Sequence, residues 1–501
     1  MNSPRALAAV DLGAESGRVA LGRFDGERVS LEIVHRFANR PVWINDGLHW
    51  DLLKLFADSL DGIARTAGAQ RLDGVGVDAW GVDYALLDAA HRVLGIPFHY
   101  RDRRTEGMIA AVHAKVSREA LYSRTGIQTM PINTIFQLAS EAGGASARAA
   151  EHLAFVPDLF GLWMTGELVG EATVASTSGL LGALDGRWAR DLTARLGLPD
   201  ALFALDPVEP GTPVGTLLSC HDDACGEAAG ASVRAVAGHD TASAFVAAPL
   251  RGPRDAVVSS GTWSLVGTEC DQPFLDARAL EYNLTNERGL GGQIRLLRNV
   301  MGLWLLQECR RAWERVGAPA DYEQLMRLAE AADPNVALFD PDDEALLAPG
   351  EMPARLREAC STGGQSPSSE PGDVVRSILT SLACKYRFVL ECLQRVTGRT
   401  FQVLHIVGGG ARNRLLCQLT ADLTGLVVYA GPVEATALGN VLVQAVAVGE
   451  VADLSQAREL SAASSERTRH EPRAAGRSAE LYDRFLTVTG LGVHDHDHAI
   501  A

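Results

Sequence analysis

No two of the eight cysteines form a CxxC pair. They are scattered at 220, 225, 270, 309, 360, 384, 392 and 417, which reads as mostly reduced core thiols in a cytoplasmic protein. Cys220 and Cys225 are near enough in sequence to bridge, which spacing by itself does not decide. No uncharged apolar run is long enough to span a bilayer, and the short stretch "ALAAV" runs straight into Asp11 and a glycine turn. Neither a membrane anchor nor a secretory leader is therefore expected. An excess of basic charge is missing too: 46 Lys and Arg against 62 Asp and Glu leave a formal net charge of −16. Phosphate-backbone binding usually needs a basic surface, so no nucleic-acid partner is expected. A Walker loop is absent, and GxGxxG does not occur where a dinucleotide-binding fold would need it.

What remains is a chain of 501 residues, 47% hydrophobic and 22% charged, enough for two domains with sizeable cores. "LAAVDLGAESGRVALGRF" predicts two strands, Leu7–Leu12 and 17–24, around a glycine turn. A second strand pair is expected in "DGVGVDAWGVDYALLD", 73–88. Between them Leu52, Leu53, Leu55, Phe56 and Leu60 fall mainly on one side of a helix. "FVPDLFGLWMTGEL" predicts a buried helix with a glycine stop. The first hairpin is echoed by "AVVSSGTWSLVG", 256–267, about half a chain later. That echo suggests a duplicated α/β architecture with its boundary just before Ala256.

Further on, the apolar residues 378, 382, 386, 389 and 393 form one helical stripe, with Asp373 as its expected cap. "STGGQSPSSEPGD", 361–373, reads as a flexible surface loop. "FQVLHIVGGGARNRLLCQL" runs strand, triple glycine, helix. Histidines at 494, 496 and 498 sit in a tail read as disordered, 491–501.

Glycine-rich hairpins let backbone N–H groups approach a phosphate. The turns 13–17 and 259–262 offer this, and so does the loop Gly408–Gly410 ahead of a helix; each alone is also an ordinary turn. Asp11, at a strand end, suits hydrated Mg²⁺, and Arg18 suits phosphate charge. Trp80, in "DAWGVDY", is either a core aromatic or a sugar-facing indole. "YRDRRT" is either a solvated charge run or a hydroxyl-recognition segment. The sharpest question is "AVAGHDTASAF", where His239 and Asp240 interrupt small and apolar residues. Asp240 reads as a helix N-cap, and the same geometry would stabilise an ionised carboxylate able to accept a hydroxyl proton in phosphoryl transfer.

Taken together, "VDLGAESGRVALG", "GVDAWGVDYALLD", "PFHYRDRRT", "GIQTMPINTIFQL", "GHDTASAF", "SSGTWSLVG", "NVMGLWLLQE", "IVGGGARNRLLCQL" and "GPVEATALGN" resemble the FGGY carbohydrate kinases over about Val10 to Val448. "DAWGVDY" with "YRDRRT" and "GIQTMPINT" resembles the members that act on L-rhamnulose, rather than those acting on glycerol, xylulose or gluconate.

The resemblance implies an α/β fold: two ribonuclease-H-like domains of the actin, hexokinase and Hsp70 ATPase type around a central cleft. A sugar-binding domain is expected over 1–247 and a nucleotide-binding domain over 248–490. The implied reaction is ATP-dependent phosphorylation of L-rhamnulose to L-rhamnulose 1-phosphate, with Mg²⁺ and closure on the sugar. Asp240 would be the proton acceptor, and Trp80, Gly81, His239, Asp240 and Thr241 would meet the sugar. Ala14, Glu15, Ser16, Gly17, Arg18 and Thr262 would hold phosphates. Asn299, Gln307, Gly409 and Gly410 would meet the nucleotide, and Asp11 the metal.

Serine is a common alternative to Glu15, whose carboxylate is best tolerated facing Mg²⁺ or a basic partner. The cysteine pairs of the family lack full counterparts, with Thr420 and Thr424 where one pair is expected, so no structural disulfide is implied. A monomer or weak homodimer is expected. A kinase for another ketose, such as L-fuculose or a pentulose, is the near alternative, and a non-catalytic sugar sensor is the distant one.

Overall fold

Apolar strands joined by a glycine turn have their donors and acceptors already aligned for an antiparallel ladder, and the chain opens this way. In the computed structural model, which describes residues 5–67, 71–318, 321–473 and 476–492, β1 (Arg5–Leu12) pairs with β2 (Ser16–Phe24), placing Asp11 opposite Arg18. The histidines at 494, 496 and 498 lie outside the described residues.

The chain divides into two compact units. The first comprises Met1–Pro249, Glu269–Leu297 and Glu434–Glu466. Its main sheet adds β3 (Val29–Ala38), β4 (Gly74–Ala79), β5 (Pro213–Thr216) and β6 (Ser232–His239), in the order β3-β2-β1-β4-β6-β5. Strands β1, β4 and β6 are parallel, with Asp11 opposite Asp78 and His239 opposite Ala79. Their carboxyl ends share one edge, which is where open α/β sheets bind ligands.

The strand Tyr84–Leu87 pairs with His152–Phe155 rather than with β4. The expected strand pair over 73–88 is therefore two strands of different sheets. Neighbours in sequence look like a hairpin, but β4 is satisfied on both sides by parallel partners.

The helix Leu52–Ala67 buries Leu52, Leu55, Leu60 and Ile63. Leu53 is 74% exposed, because at 3.6 residues per turn it falls off the stripe through 52, 55 and 59. Val156–Thr165 is stopped by Gly166 in the left-handed conformation, as its sequence predicts. The helix Ala435–Ala447 is buried along most of its length. A side chain at Gly439 would place its Cβ 1.8 Å from the Ser243 carbonyl oxygen, so only glycine permits this approach to the helix Asp240–Ala247.

The second unit comprises Leu250–Thr268, Arg298–Val433 and Arg467–Ala501. Its sheet holds β7 (Asp255–Ser260), β8 (Trp263–Cys270), β9 (Ile294–Met301), β10 (Val403–Val407), β11 (Val427–Ala430) and β12 (Thr468–His470), ordered β9-β8-β7-β10-β11-β12, with the strand Thr285–Arg288 as a seventh paired to the outer side of β9. Hairpin β7–β8 is the counterpart of β1–β2, as the sequence echo predicts.

The helix Pro371–Thr397 buries Ile378, Leu382, Tyr386, Val389 and Leu393. Asp373 is not its cap: Glu370 holds that position without a side-chain bond, and Asp373 lies inside the first turn. The expected loop 361–373 is helical at both ends, and Gln365 is tied to both backbone groups of Leu338, at 2.9 and 2.7 Å. All eight cysteines are free thiols. Among the described residues, no helix is long and apolar enough to cross a membrane.

Candidate active site

Three carboxylates gather at the carboxyl edge of the first sheet. Asp11 is the penultimate residue of β1, beside Asp78 on β4, and Asp240 follows the last residue of β6. Burial pushes Asp11 up to about 6, with Arg18 opposing it and Asp240 and Glu434 adding to it. Asp78 is pushed well above the usual carboxylate range, first by burial and then by Asp11. A side-chain amide answers part of this strain: Asn440 Nδ2 donates to Asp78 at 2.6 Å, and Gln444 Nε2 in turn donates to Asn440 Oδ1 at 2.8 Å. Asp11 Oδ2 and Asp78 Oδ1 nevertheless remain buried without a hydrogen-bond partner.

Among the described residues, no three His, Cys, Asp or Glu side chains form a metal cage. Two adjacent carboxylates with orphaned oxygens do fit a cation that keeps several waters, as Mg²⁺ does.

Arg18 lies 3.4 Å from Asp11 and 2.6 Å from Glu434, which also takes Arg36 at 2.6 Å. Burial pulls Glu434 upward, but the two guanidiniums more than offset it and hold the carboxyl below its ordinary value. The turn Ala14–Gly17 is fastened by Asn39, whose N–H donates to the Glu15 carbonyl at 3.0 Å and whose side chain donates to the Gly13 carbonyl at 2.9 Å.

Asp240 is not a helix cap. The helix runs Asp240–Ala247 with His239 at the cap position and no capping side-chain bond. Strand β6 extends through His239, so Asp240 is already the first helical residue. One of its oxygens instead accepts from the N–H and hydroxyl of Thr241, at 2.5 and 3.1 Å. Its side chain keeps 29% of its surface exposed. Burial raises its pKa, and His239, Thr241 and Arg295 pull it back in part.

The backbone entering Asp240 is riveted from behind. Gly238 N–H donates to Glu171 at 3.0 Å and His239 N–H to the Thr173 hydroxyl at 3.1 Å.

Just after β4, Trp80 is 5% exposed and packs against Trp50, with ring centroids 4.0 Å apart and the planes tilted by 33°. Both indole N–H groups donate to Asp83 Oδ2, at 3.0 and 2.6 Å. Gly81 packs on Thr177, whose hydroxyl accepts from the Val82 N–H at 3.0 Å. Val82 holds φ 68, a conformation a β-branched residue adopts only when its surroundings impose it.

In the second unit, the hairpin turn and the glycine loop meet at Ser260. A Cβ at Gly410 would lie 2.0 Å from Ser260 Oγ. The Thr262 carbonyl accepts from the N–H groups of Gly302 and Trp304, at 3.1 and 3.2 Å. This ties the turn to the start of the helix Trp304–Arg315, which carries Gln307. Asn299 lies on β9. Gly408–Gly410 follow β10 and precede the helix Arg414–Thr424, which Asn413 caps by accepting from Leu416 N–H at 2.9 Å. A side chain at Gly409 would meet nothing within 4 Å.

Sequence reasoning missed Asp78, Glu171, Glu287, Arg295 and Glu434. The only local signal was a carboxylate inside an otherwise apolar strand at Asp78 and an acidic residue in "GPVEATALGN" at Glu434.

Solved structures with the same architecture are sugar and polyol kinases of the two-domain actin/hexokinase type. A gluconate kinase from Lactobacillus acidophilus superposes with a TM-score of 0.78 at 14% identity, covering 97% of this chain and 98% of the other. A xylulose kinase from Rhodospirillum rubrum gives 0.75 at 20% identity, covering 96% and 97%. This likeness defines the fold.

The N-terminal and C-terminal domain profiles of the FGGY family of carbohydrate kinases match residues 7–247 and 256–448, and the chain belongs to that family. It is a phosphotransferase with an alcohol acceptor. Among curated relatives, a rhamnulokinase from Bacteroides thetaiotaomicron is 40% identical over 90% of this chain and 93% of its own length. One from Pectobacterium carotovorum is 41% identical over 96% of each.

Proposed function

We propose that the protein transfers the γ-phosphoryl group of ATP to the O1 hydroxyl of L-rhamnulose, with Asp240 accepting the hydroxyl proton. The observation that carries this is the position of Asp240: a recessed but accessible carboxylate, backed by His239, on the sheet edge that also bears Asp11 and Asp78. Phosphoryl transfer asks mainly for positioning and charge neutralisation, so a weak, well-placed base suffices. Relatives named rhamnulokinase at 40 and 41% identity support L-rhamnulose as the ketose.

In this reading Gly81, His239 and Thr241 meet the sugar in the portion 1–247, with Trp80 bracing Gly81 from the core. Ala14–Arg18 and Thr262 receive phosphates. Asn299, Gln307, Gly409 and Gly410 meet the nucleotide in the portion 248–490. Asp11 and Asp78 would hold hydrated Mg²⁺, which when bound neutralises charge on the transferring phosphoryl oxygens. The setting is cytoplasmic, and the active species is a monomer or weak homodimer.

The test is ADP release across a panel of ketoses and polyols. L-rhamnulose should give the highest kcat/KM. A clear preference for L-fuculose, D-xylulose or glycerol would overturn the substrate while leaving the kinase chemistry in place.

A further inference from the structure

Behind His239 lies a buried charge cluster that the reaction itself does not call for. Arg295 has 0% of its side-chain surface exposed, Glu287 4% and His239 8%. The strand Thr285–Arg288 carries Glu287 and pairs antiparallel with the start of Ile294–Met301, which sets Glu287 opposite Arg295. Burying both charges is expensive even when they attract each other, so the pair asks for a use beyond that attraction.

The geometry at the imidazole discriminates between two arrangements. Arg295 Nη2 makes a hydrogen bond to His239 Nδ1 at 3.2 Å. Glu287 Oε2 is also 3.2 Å from Nδ1 and 3.1 Å from Nη2, an ion pair with Arg295 in which neither contact is aligned as a hydrogen bond. A guanidinium can only donate, so the Nδ1 it addresses must be bare. The ring proton then belongs on Nε2, which faces Asp240 Oδ1 at 3.5 Å.

We propose that Arg295 is a positioning residue that locks His239 as its Nε2–H tautomer, so that a fixed N–H donor is aimed at Asp240. Glu287 serves as the counter-ion that keeps Arg295 in place. The order is the reverse of a hydrolase triad, where a carboxylate takes the Nδ1–H and leaves Nε2 bare as the base. Here the carboxylate in front of the ring is the base, and a bare Nε2 would repel it. At 3.5 Å the His239 N–H acts on Asp240 as an oriented dipole beside the two hydrogen bonds from Thr241, and it favours the charged form that burial opposes. This inference rests on Asp240 being the proton acceptor.

The experiment uses the full-length protein with ¹⁵N-labelled histidine. His239 is assigned by the signal lost in His239→Gln, and its two ring nitrogens are read by long-range ¹H–¹⁵N correlation. A protonated Nε2 and a bare Nδ1 are expected, and the opposite tautomer would overturn the proposal whether or not any variant folds.

In Arg295→Met the remaining Glu287 should draw the proton to Nδ1. Turnover should fall by about 10- to 100-fold, the worth of one charge-assisted hydrogen bond, with the ketose KM within about threefold. Removing the acceptor as well, in Glu287→Met/Arg295→Met, should return the proton to Nε2 and recover most of kcat. A purely structural pair would make the double variant the worse of the two. A double variant as slow as the single one, or a single variant with unchanged tautomer and kcat, would sink the idea. Failure of Asp240 as base would show instead in Asp240→Asn, without touching the tautomer measured in the unaltered protein.

Discussion

Asp11 and Asp78 are direct partners across the parallel ladder of β1 and β4, and each leaves one buried oxygen without a hydrogen bond. Parallel strands stand about 4.8 Å apart, so two carboxylates in register on one face repel each other unless a cation or a proton intervenes. The raised pKa of both is the cost of that arrangement. A protein under pressure only for stability would not keep it.

Asp78→Asn therefore separates stability from function. The amide oxygen still accepts from Asn440, while the repulsion with Asp11 disappears. In metal-free buffer the variant should melt at or above the temperature of the parent. Its half-saturating Mg²⁺ concentration should rise by about tenfold or more, the scale of losing one ligand interaction. Lower stability with unchanged Mg²⁺ dependence would place Asp78 in the scaffold alone.

How much of this was legible beforehand follows from the range of each interaction. Both hairpins, the helix with its stripe from 378 to 393, and the glycine loop of 408–410 are local patterns, and each appears where the sequence puts it. Register between β1 and β4 is not local: strands β2 and β3 and the helix Leu52–Ala67 all intervene between Asp11 and Asp78. Glu287 and Arg295 look like surface charges in "NERGLGGQIRLL" until a hairpin folds them inward against His239. Asp240 misled for a different reason. An aspartate ahead of small residues favours a cap, but the ladder of β6 holds the chain extended through His239, and the helix begins at Asp240 itself, one residue earlier than a cap there requires.

Val82 gives a second test, of backbone strain. Its carbonyl accepts from Thr134 Oγ1 at 2.7 Å and Gln137 Nε2 at 3.3 Å, while its N–H donates to Thr177 Oγ1 at 3.0 Å. Together with Asp83 pinning two indoles, these bonds hold φ at 68. On packing alone, Val82→Ala should be milder than Val82→Gly. With the left-handed conformation costing a side chain about 1 kcal/mol, Val82→Gly should instead be at least as stable as Val82→Ala by urea unfolding. Both should raise the ketose KM if the strained segment presents Gly81 to the sugar. Alanine clearly ahead of glycine would remove strain from the account.

The buried carboxylate of Glu171 makes stability depend on pH in an unusual direction. Burial pushes it up to about 7, opposed by donors from Thr173, Val174 and Gly238. Because its folded pKa lies above its unfolded one, its contribution is fully present below the unfolded value of about 4.5 and is lost as pH rises through about 7. Glu171→Gln removes that titration. The stability of the parent relative to the variant should therefore be greater at pH 5 than at pH 8, by on the order of 1 to 3 kcal/mol. Urea unfolding of both proteins at the two pH values measures it, and a difference independent of pH would contradict the assignment.

The decisive variant for the chemistry is Asp240→Asn. Its amide oxygen can still accept from the Thr241 N–H, and no capping bond is at risk because Asp240 makes none. Burial disfavours the native charge, so the neutral variant should be folded and no less stable than the parent. It should bind ATP and L-rhamnulose with affinities close to normal by calorimetry, since shape and most donors are kept. What it lacks is a lone pair basic enough to take the O1 proton as the phosphoryl group arrives. General-base loss costs about 10² to 10⁴ in rate, so kcat should fall at least 10²-fold with KM nearly unchanged. A folded variant with near-parental kcat would remove Asp240 from the reaction and leave "GHD" as nothing more than the end of a strand and the start of a helix.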